Sequence, residues 1–164
     1  MPKKVFAALL LVFLQTNVVL GQPAFVERMQ LTTDAARIIV DTCLAFAAEN
    51  DMVIGVAVVD PAGVLLDFHL MEGRGPTASE TAILKARTAA RWGQPTQALE
   101  DAVRSGGNQA PLWRNDFPQG GGLPIIIEGQ VAGAVGVGGP GRQDECAQVG
   151  IDAALGLHST SEQN

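Results

Sequence analysis

The chain has 164 residues, of which 47% are hydrophobic, and a formal net charge of −6. This length predicts a single domain, and the hydrophobic fraction is large enough to form a core. Loss of an N-terminal segment carrying Lys3 and Lys4 would change the net charge to −8. Such an acidic chain is a poor candidate for binding nucleic acid or an anionic membrane, because both attract basic surfaces.

Residues 1–21 have the order of regions that is typical of a secretory signal peptide. Lys3 and Lys4 precede an apolar run over residues 5–14, and Gly21 is a small residue at a suitable cleavage position. The apolar run is shorter than the roughly 20 residues that a membrane span needs. We therefore expect a secreted or periplasmic protein with no membrane association after cleavage; an uncleaved N-terminal anchor is the alternative.

The remaining sequence alternates helix patterns with pairs of strand patterns. Apolar spacing and turn residues predict helices over residues 31–50, 77–92, 96–104 and 142–157, and strands over 54–60, 64–71, 123–127 and 131–137. A capping box of Thr77 and Glu80 is expected to start the second helix, and residues 105–118 are expected to form a loop. The order α-ββ-α-α-ββ-α predicts an α+β fold, an antiparallel sheet of two hairpins flanked by helices. We place one domain at residues 22–158 and a disordered tail at 159–164.

Cys43 and Cys146 are the only cysteines, and each falls on a predicted helix. An oxidising compartment would permit a disulfide between them. The interpretation we favour from the sequence is two buried free thiols.

A glycine-rich stretch over residues 136–141 spells G-x-G-x-x-G, the pattern of a dinucleotide-binding turn. That turn needs a parallel βαβ unit, whereas the strand before this stretch belongs to a predicted hairpin and only a short tail follows the last helix. The sequence therefore argues against a dinucleotide site. The remaining interpretations are a strand-to-helix loop that permits tight packing and a ligand-lining loop that includes Gly138.

Lys85 is the candidate catalytic residue that the sequence singles out most clearly. It is the only lysine outside the N-terminal segment, and it shares a predicted helix face with Ala78, Ala82 and Ala89. A lysine on such a face could pair with a ligand carboxylate or a haem propionate, or act as an acid/base if burial lowered its pKa. The alternative is a structural lysine paired with an acid.

His69 is the second candidate catalytic residue and the one candidate metal ligand. It shares a predicted strand face with Met71, so an imidazole and a thioether could both reach haem iron. A hydrogen-bonded structural histidine is the alternative. Trp113 and Arg114 in the predicted loop suit stacking and anion pairing in a pocket wall, or they only anchor the loop.

Familiar catalytic motifs are absent from the sequence. It contains no nucleophile elbow, H-E-x-x-H motif, P-loop or paired-carboxylate constellation. Glu80 is better explained as a helix cap than as a catalytic acid. The motifs alone therefore identify no reaction.

Five stretches together resemble the GlcG/HbpS-like proteins, a family of haem-binding and haem-degrading proteins that includes the C-terminal domain of PduO-type proteins. The stretches are LTTDAARIIVD, VAVVDPAGVLL, ASETAILKARTAA, GGLPIIIEGQVAGAVGVGG and QDECAQVGIDAAL, and they run from Leu31 to Leu155. The resemblance implies an antiparallel sheet flanked by helices, assembly into oligomers, and binding of haem or a small molecule. Lys85, Gly121 and Gly122 are among the positions that match the family.

Two positions depart from the family pattern. The resemblance to PduO-type domains implies a haem ligand that is a histidine on the first helix. Residues 32–50 contain no histidine. The family's R-M-D-G segment reads Leu70-Met71-Glu72-Gly73 here, directly after His69. His69 would therefore have to replace the missing iron ligand.

Two functions are consistent with these features. The first is an exported, oligomeric binding protein for a small ligand, with haem a candidate cofactor held by His69, Met71, Lys85, Trp113, Arg114 and backbone groups of Gly121, Gly122 and Gly138. The second is an exported enzyme acting on a small organic acid or aromatic catabolite, with Lys85 or His69 as acid/base. A domain that only mediates assembly is a third interpretation.

Overall fold

The protein forms one four-stranded sheet with helices on both faces, in a computed structural model that describes residue 24 and residues 26–156. The helices are α1 (Thr33–Glu49), α2 (Pro76–Trp92), α3 (Thr96–Arg104), α4 (Ala110–Trp113) and α5 (Gln143–Ala154). The strands are β1 (Gly55–Val59), β2 (Leu65–Leu70), β3 (Gly122–Ile127) and β4 (Gln130–Gly138). The predicted signal peptide at 1–21 and the predicted tail at 159–164 lie outside the described residues.

The sheet has the strand order β2-β1-β4-β3, and every pair of neighbours is antiparallel. Each hairpin supplies two adjacent strands, and β1 joins β4 at the centre, where Val56 lies opposite Val137. All five residues of β1 are buried because both faces of this strand are covered. The predicted α+β fold of two hairpins is therefore confirmed.

The two faces of the sheet bury different kinds of side chain. Branched residues such as Val56, Val58 and Val135 belong to the core under α1 and α5. Alanines dominate the other face, where Ala57 and Ala134 pack against the alanines of α2. Small side chains on both partners bring α2 close to the strands.

Glycines in β4 make this close packing feasible. A Cβ at Gly136 would lie 2.1 Å from the carbonyl oxygen of Ala82, and one at Gly138 would lie 2.0 Å from that of Ala78. Gly136 and Gly138, the first two glycines of the G-x-G-x-x-G stretch, thus leave room for the backbone of α2. Because β4 is antiparallel to both of its neighbours, the predicted hairpin setting of this stretch is confirmed.

Replacing Gly136 by alanine should destabilise the fold by about 1–3 kcal/mol, the usual cost of overpacking. The new methyl group would meet backbone atoms of α2, which cannot rotate away as a side chain can. Urea unfolding of the variant and the wild type measures the difference. Gly107→Ala is the matched control, since its Cβ would lie 3.4 Å from the nearest atom. Equal losses in the two variants would contradict this account.

The cysteines are paired, so the favoured interpretation of two free thiols is wrong. Cys43 on α1 and Cys146 on α5 form a disulfide with a Cα–Cα distance of 4.8 Å. The two helices pack side by side on one face of the sheet, which brings together residues 103 positions apart in the sequence. Nothing local in the sequence indicates this proximity.

Two local predictions also need correction. The second helix begins at Pro76, with Gly75 as its N-cap and no side-chain capping bond, so the predicted capping box of Thr77 and Glu80 is wrong. The physical reason is that proline is pre-organised for the first helical position and starts the helix one residue earlier. The predicted loop over 105–118 contains the short helix α4.

None of the helices within the described residues is both long enough and apolar enough to cross a membrane.

Candidate functional site

Lys85 lies in the middle of α2 and is buried beneath the sheet, with 1% of its surface exposed. Its Nζ donates to the carbonyl oxygen of Val137 at 3.1 Å and to Oε1 of Gln143 at 2.6 Å. Ala82 and Ala89, on the same helix face, are fully buried. The sequence therefore placed Lys85 on the correct face of the helix.

The end of the β3–β4 ladder explains why a lysine side chain reaches this point. Val137 N–H donates to the carbonyl oxygen of Gly121 at 2.8 Å, and in a regular antiparallel pair Gly121 N–H would return the bond. Instead, Gly121 N–H donates to Oδ1 of Asp144 at 2.9 Å. Lys85 supplies the donor that the carbonyl of Val137 would otherwise lack.

Gly121 leaves space for the side chain of Lys85, and Gly122 leaves space for its backbone. Gly121 has a φ of +108°, and a Cβ there would lie 3.0 Å from Nζ of Lys85. A Cβ at Gly122 would lie 2.7 Å from the backbone oxygen of Lys85. These two predicted binding glycines thus lie directly against the lysine.

Burial lowers the pKa of Lys85 from its ordinary value of 10.5 to about 8, and the nearby charges of Asp144 and Glu100 limit the fall. Both carboxylates bind backbone N–H groups: Asp144 that of Gly121, and Glu100 that of Gly120 at 2.9 Å. The hydrogen bond from Gly120, helped by Arg104, lowers the pKa of Glu100. Near neutral pH, Lys85 is mostly charged but has a substantial neutral fraction.

A cavity of about 310 Å³ adjoins Lys85. It is lined by Arg74, Gly75, Thr77, Ala78, Thr81, Lys85, Gln119 and Gly139. The N-terminus of α2 forms one part of this lining, and Gly75 provides no side-chain cap for its N–H groups. The cavity wall therefore combines the positive end of a helix with two cationic side chains.

His69 is far less buried than Lys85 and faces the other side of the sheet. It lies on the edge strand β2 opposite Val56, whose side chain belongs to the core under α1 and α5. Cross-strand partners project to the same face, whereas Lys85 lies on the α2 face. The structure therefore does not bring these two predicted catalytic residues together.

Met71 does not complete an iron site with His69. Its Sδ accepts the N–H of Ile54 at 3.4 Å, and its side chain packs against the core. No group of three or more His, Cys, Asp or Glu within the described residues could hold a metal ion. These residues do not fit a haem held between two protein ligands, and a haem on His69 would lie at the surface.

Trp113 and Arg114 lie apart from the cavity beside Lys85. Trp113, at the end of α4, is 86% exposed. The guanidinium of Arg114 lies over the ring of Trp92, 5.9 Å from its centroid. Neither residue lines the cavity, so within one chain neither belongs to the same site as Lys85.

Several residues of this site were not singled out by the sequence. Gln143 contacts Lys85 from 58 positions away, and Arg74 reaches the cavity from the segment before α2. Gln143 follows the glycine-rich loop at the start of α5, which is the one local signal that could have indicated it. Arg74 had no comparable signal.

Comparisons with known proteins identify the family of the chain. The family model described as haem degrading protein HbpS-like matches residues 31–153. GlcG of Escherichia coli K12 is 36% identical over 94 residues, covering 56% of this chain and 68% of GlcG. An uncharacterised 15.0 kDa protein of Citrobacter freundii, from the dhaT–dhaS intergenic region, is 34% identical over 128 residues, covering 74% of this chain and 90% of that protein.

Solved structures share the fold. Klebsiella pneumoniae ORFY superposes with a TM-score of 0.77 at 26% identity, covering 84% of this chain and 99% of ORFY. HbpS superposes with a TM-score of 0.70 at 27% identity, covering 82% of this chain and 95% of HbpS. Because the family model spans most of the chain, the resemblance drawn from its motifs is confirmed, and this protein belongs to the HbpS-like family.

Proposed function

We propose that this protein binds a small organic acid in the cavity beside Lys85. The observation that carries the proposal is the joint presence of Arg74, Lys85 and the uncapped N-terminus of α2 on one cavity of about 310 Å³. Ligand pockets generally span about 300–1,000 Å³, so this cavity suits a small molecule. A carboxylate is the group that this positive lining would attract.

The bonding of Lys85 favours an anionic ligand. A buried ammonium group is costly unless an opposite charge pairs with it. Yet both hydrogen-bond acceptors of Lys85 are neutral oxygens, and it forms no salt bridge within the described part of the chain. A ligand carboxylate in the cavity would supply a direct ion-pair partner in addition to the nearby charges of Asp144 and Glu100.

Titration of the protein with pyruvate, lactate and succinate by calorimetry tests the proposal. Arg74→Gln and Lys85→Met should each weaken binding about tenfold or more, because a hydrogen bond to a charged group contributes about 1.5–3 kcal/mol. Arg28→Gln is the matched control, an exposed arginine that does not line the cavity. Absence of saturable binding by all three acids, or unchanged affinity in both cavity variants, would refute the proposal.

Haem is a second candidate ligand, favoured by the family description and by the exposed imidazole of His69. An exposed imidazole on an edge strand is accessible to iron without rearrangement of the core. Addition of micromolar haem should shift the Soret band, and His69→Ala should abolish the shift. His158→Ala serves as the control, since it removes the other histidine. Absence of a shift in the wild type would rule out haem, and a shift that survives His69→Ala would rule out His69 as the iron ligand.

An enzymatic role is the alternative to simple binding. His69 lies on the opposite sheet face, so an acid/base role at this cavity falls to Lys85. Its pKa of about 8 is suited to proton transfer near neutral pH. Under this alternative, the bound organic acid would be a substrate, and Lys85→Met would abolish its turnover while the fold is retained.

We further propose that the protein is exported and forms homo-oligomers. The disulfide between Cys43 and Cys146 supports export, because such bonds persist mainly in oxidising compartments. Mass analysis of the periplasmic or secreted protein should show a chain that begins after Gly21. Sedimentation should show more than one chain per particle, and a monomer at all concentrations would count against assembly.

A further inference from the structure

The hydrogen bonds of Lys85 match the needs of a neutral amine. A neutral primary amine has two N–H groups and one lone pair. Nζ has two acceptors, the carbonyl oxygen of Val137 and Oε1 of Gln143, and the described residues offer it no third. Both N–H groups of the neutral form are therefore satisfied, and the lone pair is left over on a residue that lines the cavity.

We propose that Lys85 is a nucleophile whose amine condenses reversibly with the carbonyl group of a small 2-oxo acid to form an imine. The inference rests on the proposed function, because the cavity must first hold the acid. Burial, which lowers the pKa of Lys85 to about 8, supports the nucleophilic role by raising the fraction of neutral amine.

The cavity lining points to a 2-oxo acid rather than to a simple aldehyde. Arg74 and the N-terminus of α2 provide two positive groups besides the lysine. When the carboxylate of a 2-oxo acid binds there, the neighbouring ketone carbon is the atom that the amine can attack. The volume of about 310 Å³ favours a short carbon chain.

The step needs no oxidant or reductant. The lone pair of Nζ forms a bond to the carbonyl carbon, and the carbonyl oxygen takes up one proton from the amine. The carbinolamine then loses this oxygen as water together with the second amine hydrogen, and a C=N bond replaces C=O. A proton taken up from solvent gives the iminium form, whose N–H can donate again to Gln143 or Val137.

Reductive trapping of the exported protein with pyruvate and sodium cyanoborohydride, followed by peptide mass mapping, tests the inference. The expected product is a reduced pyruvate adduct on Lys85. Lys85 of the urea-unfolded protein serves as the control for non-specific labelling, because Lys3 and Lys4 are absent from a chain that begins after Gly21. Lactate has no ketone group, so it should compete with pyruvate but leave no adduct.

The outcomes separate this inference from the proposed function. If pyruvate binds by calorimetry but Lys85 is labelled no faster in the folded than in the urea-unfolded protein, imine formation is wrong and the binding function stands. If no organic acid binds and no adduct forms, both proposals fail. Lys85→Met should lose the adduct; should this variant not fold, the site of labelling in the wild type decides alone.

Discussion

Replacing Cys43 and Cys146 together by alanine should lower the free energy of unfolding by about 2–5 kcal/mol. The disulfide closes a loop with a sequence separation of 103 residues, and long loops are where a cross-link restricts the unfolded chain most. Both side chains are fully buried between α1 and α5. Alanine is the appropriate replacement because serine would add buried hydroxyl groups.

Urea unfolding with and without reductant measures this contribution. Reductant should shift the wild-type midpoint towards that of the double variant and leave the variant itself unchanged. Thiol titration of the unfolded wild type without reductant should detect no free cysteine. A wild-type midpoint that does not respond to reductant, although two thiols appear, would contradict a stabilising disulfide.

The fold could be predicted because its signals are local. Strand patterns separated by short turns at residues 61–63 and 128–130 indicated two hairpins, and the structure contains both. The disulfide could not be predicted from such local signals. Cys43 and Cys146 meet because α1 and α5 lie on the same face of the sheet, and hairpin patterns do not determine which helices share a face.

The candidate site was only partly predictable for the same reason. Lys85 was recognisable as a single lysine among alanines, and this pattern reflects close packing of α2 on β4. Its partner Gln143 comes from a distant helix. Trp113 and Arg114 had suitable chemistry for a pocket, but α4 holds them outside the cavity. Residue type indicated chemistry, whereas only the tertiary structure showed which groups are neighbours.

The stability of the wild type should rise by about 3 kcal/mol as the pH is raised from about 8 to 10.5, because one pKa unit corresponds to about 1.36 kcal/mol. The pKa of Lys85 is about 8 in the folded chain and has its ordinary value of 10.5 when exposed. Between these values the unfolded chain holds a proton that the folded chain has released, so stability increases with pH. Below pH 8 both states are protonated, and the full cost of burying the ammonium group remains.

Few other groups titrate in this window, which makes the measurement specific to Lys85. The sequence contains no tyrosine, its other lysines are Lys3 and Lys4, and both cysteines are in the disulfide. Urea unfolding at intervals between pH 7 and 10.5 gives the profile for the wild type and for Lys85→Met, which should remain nearly flat. Parallel profiles would show that Lys85 is not desolvated in the folded chain. A rise confined to the wild type would establish the lowered pKa that supports imine formation at Lys85.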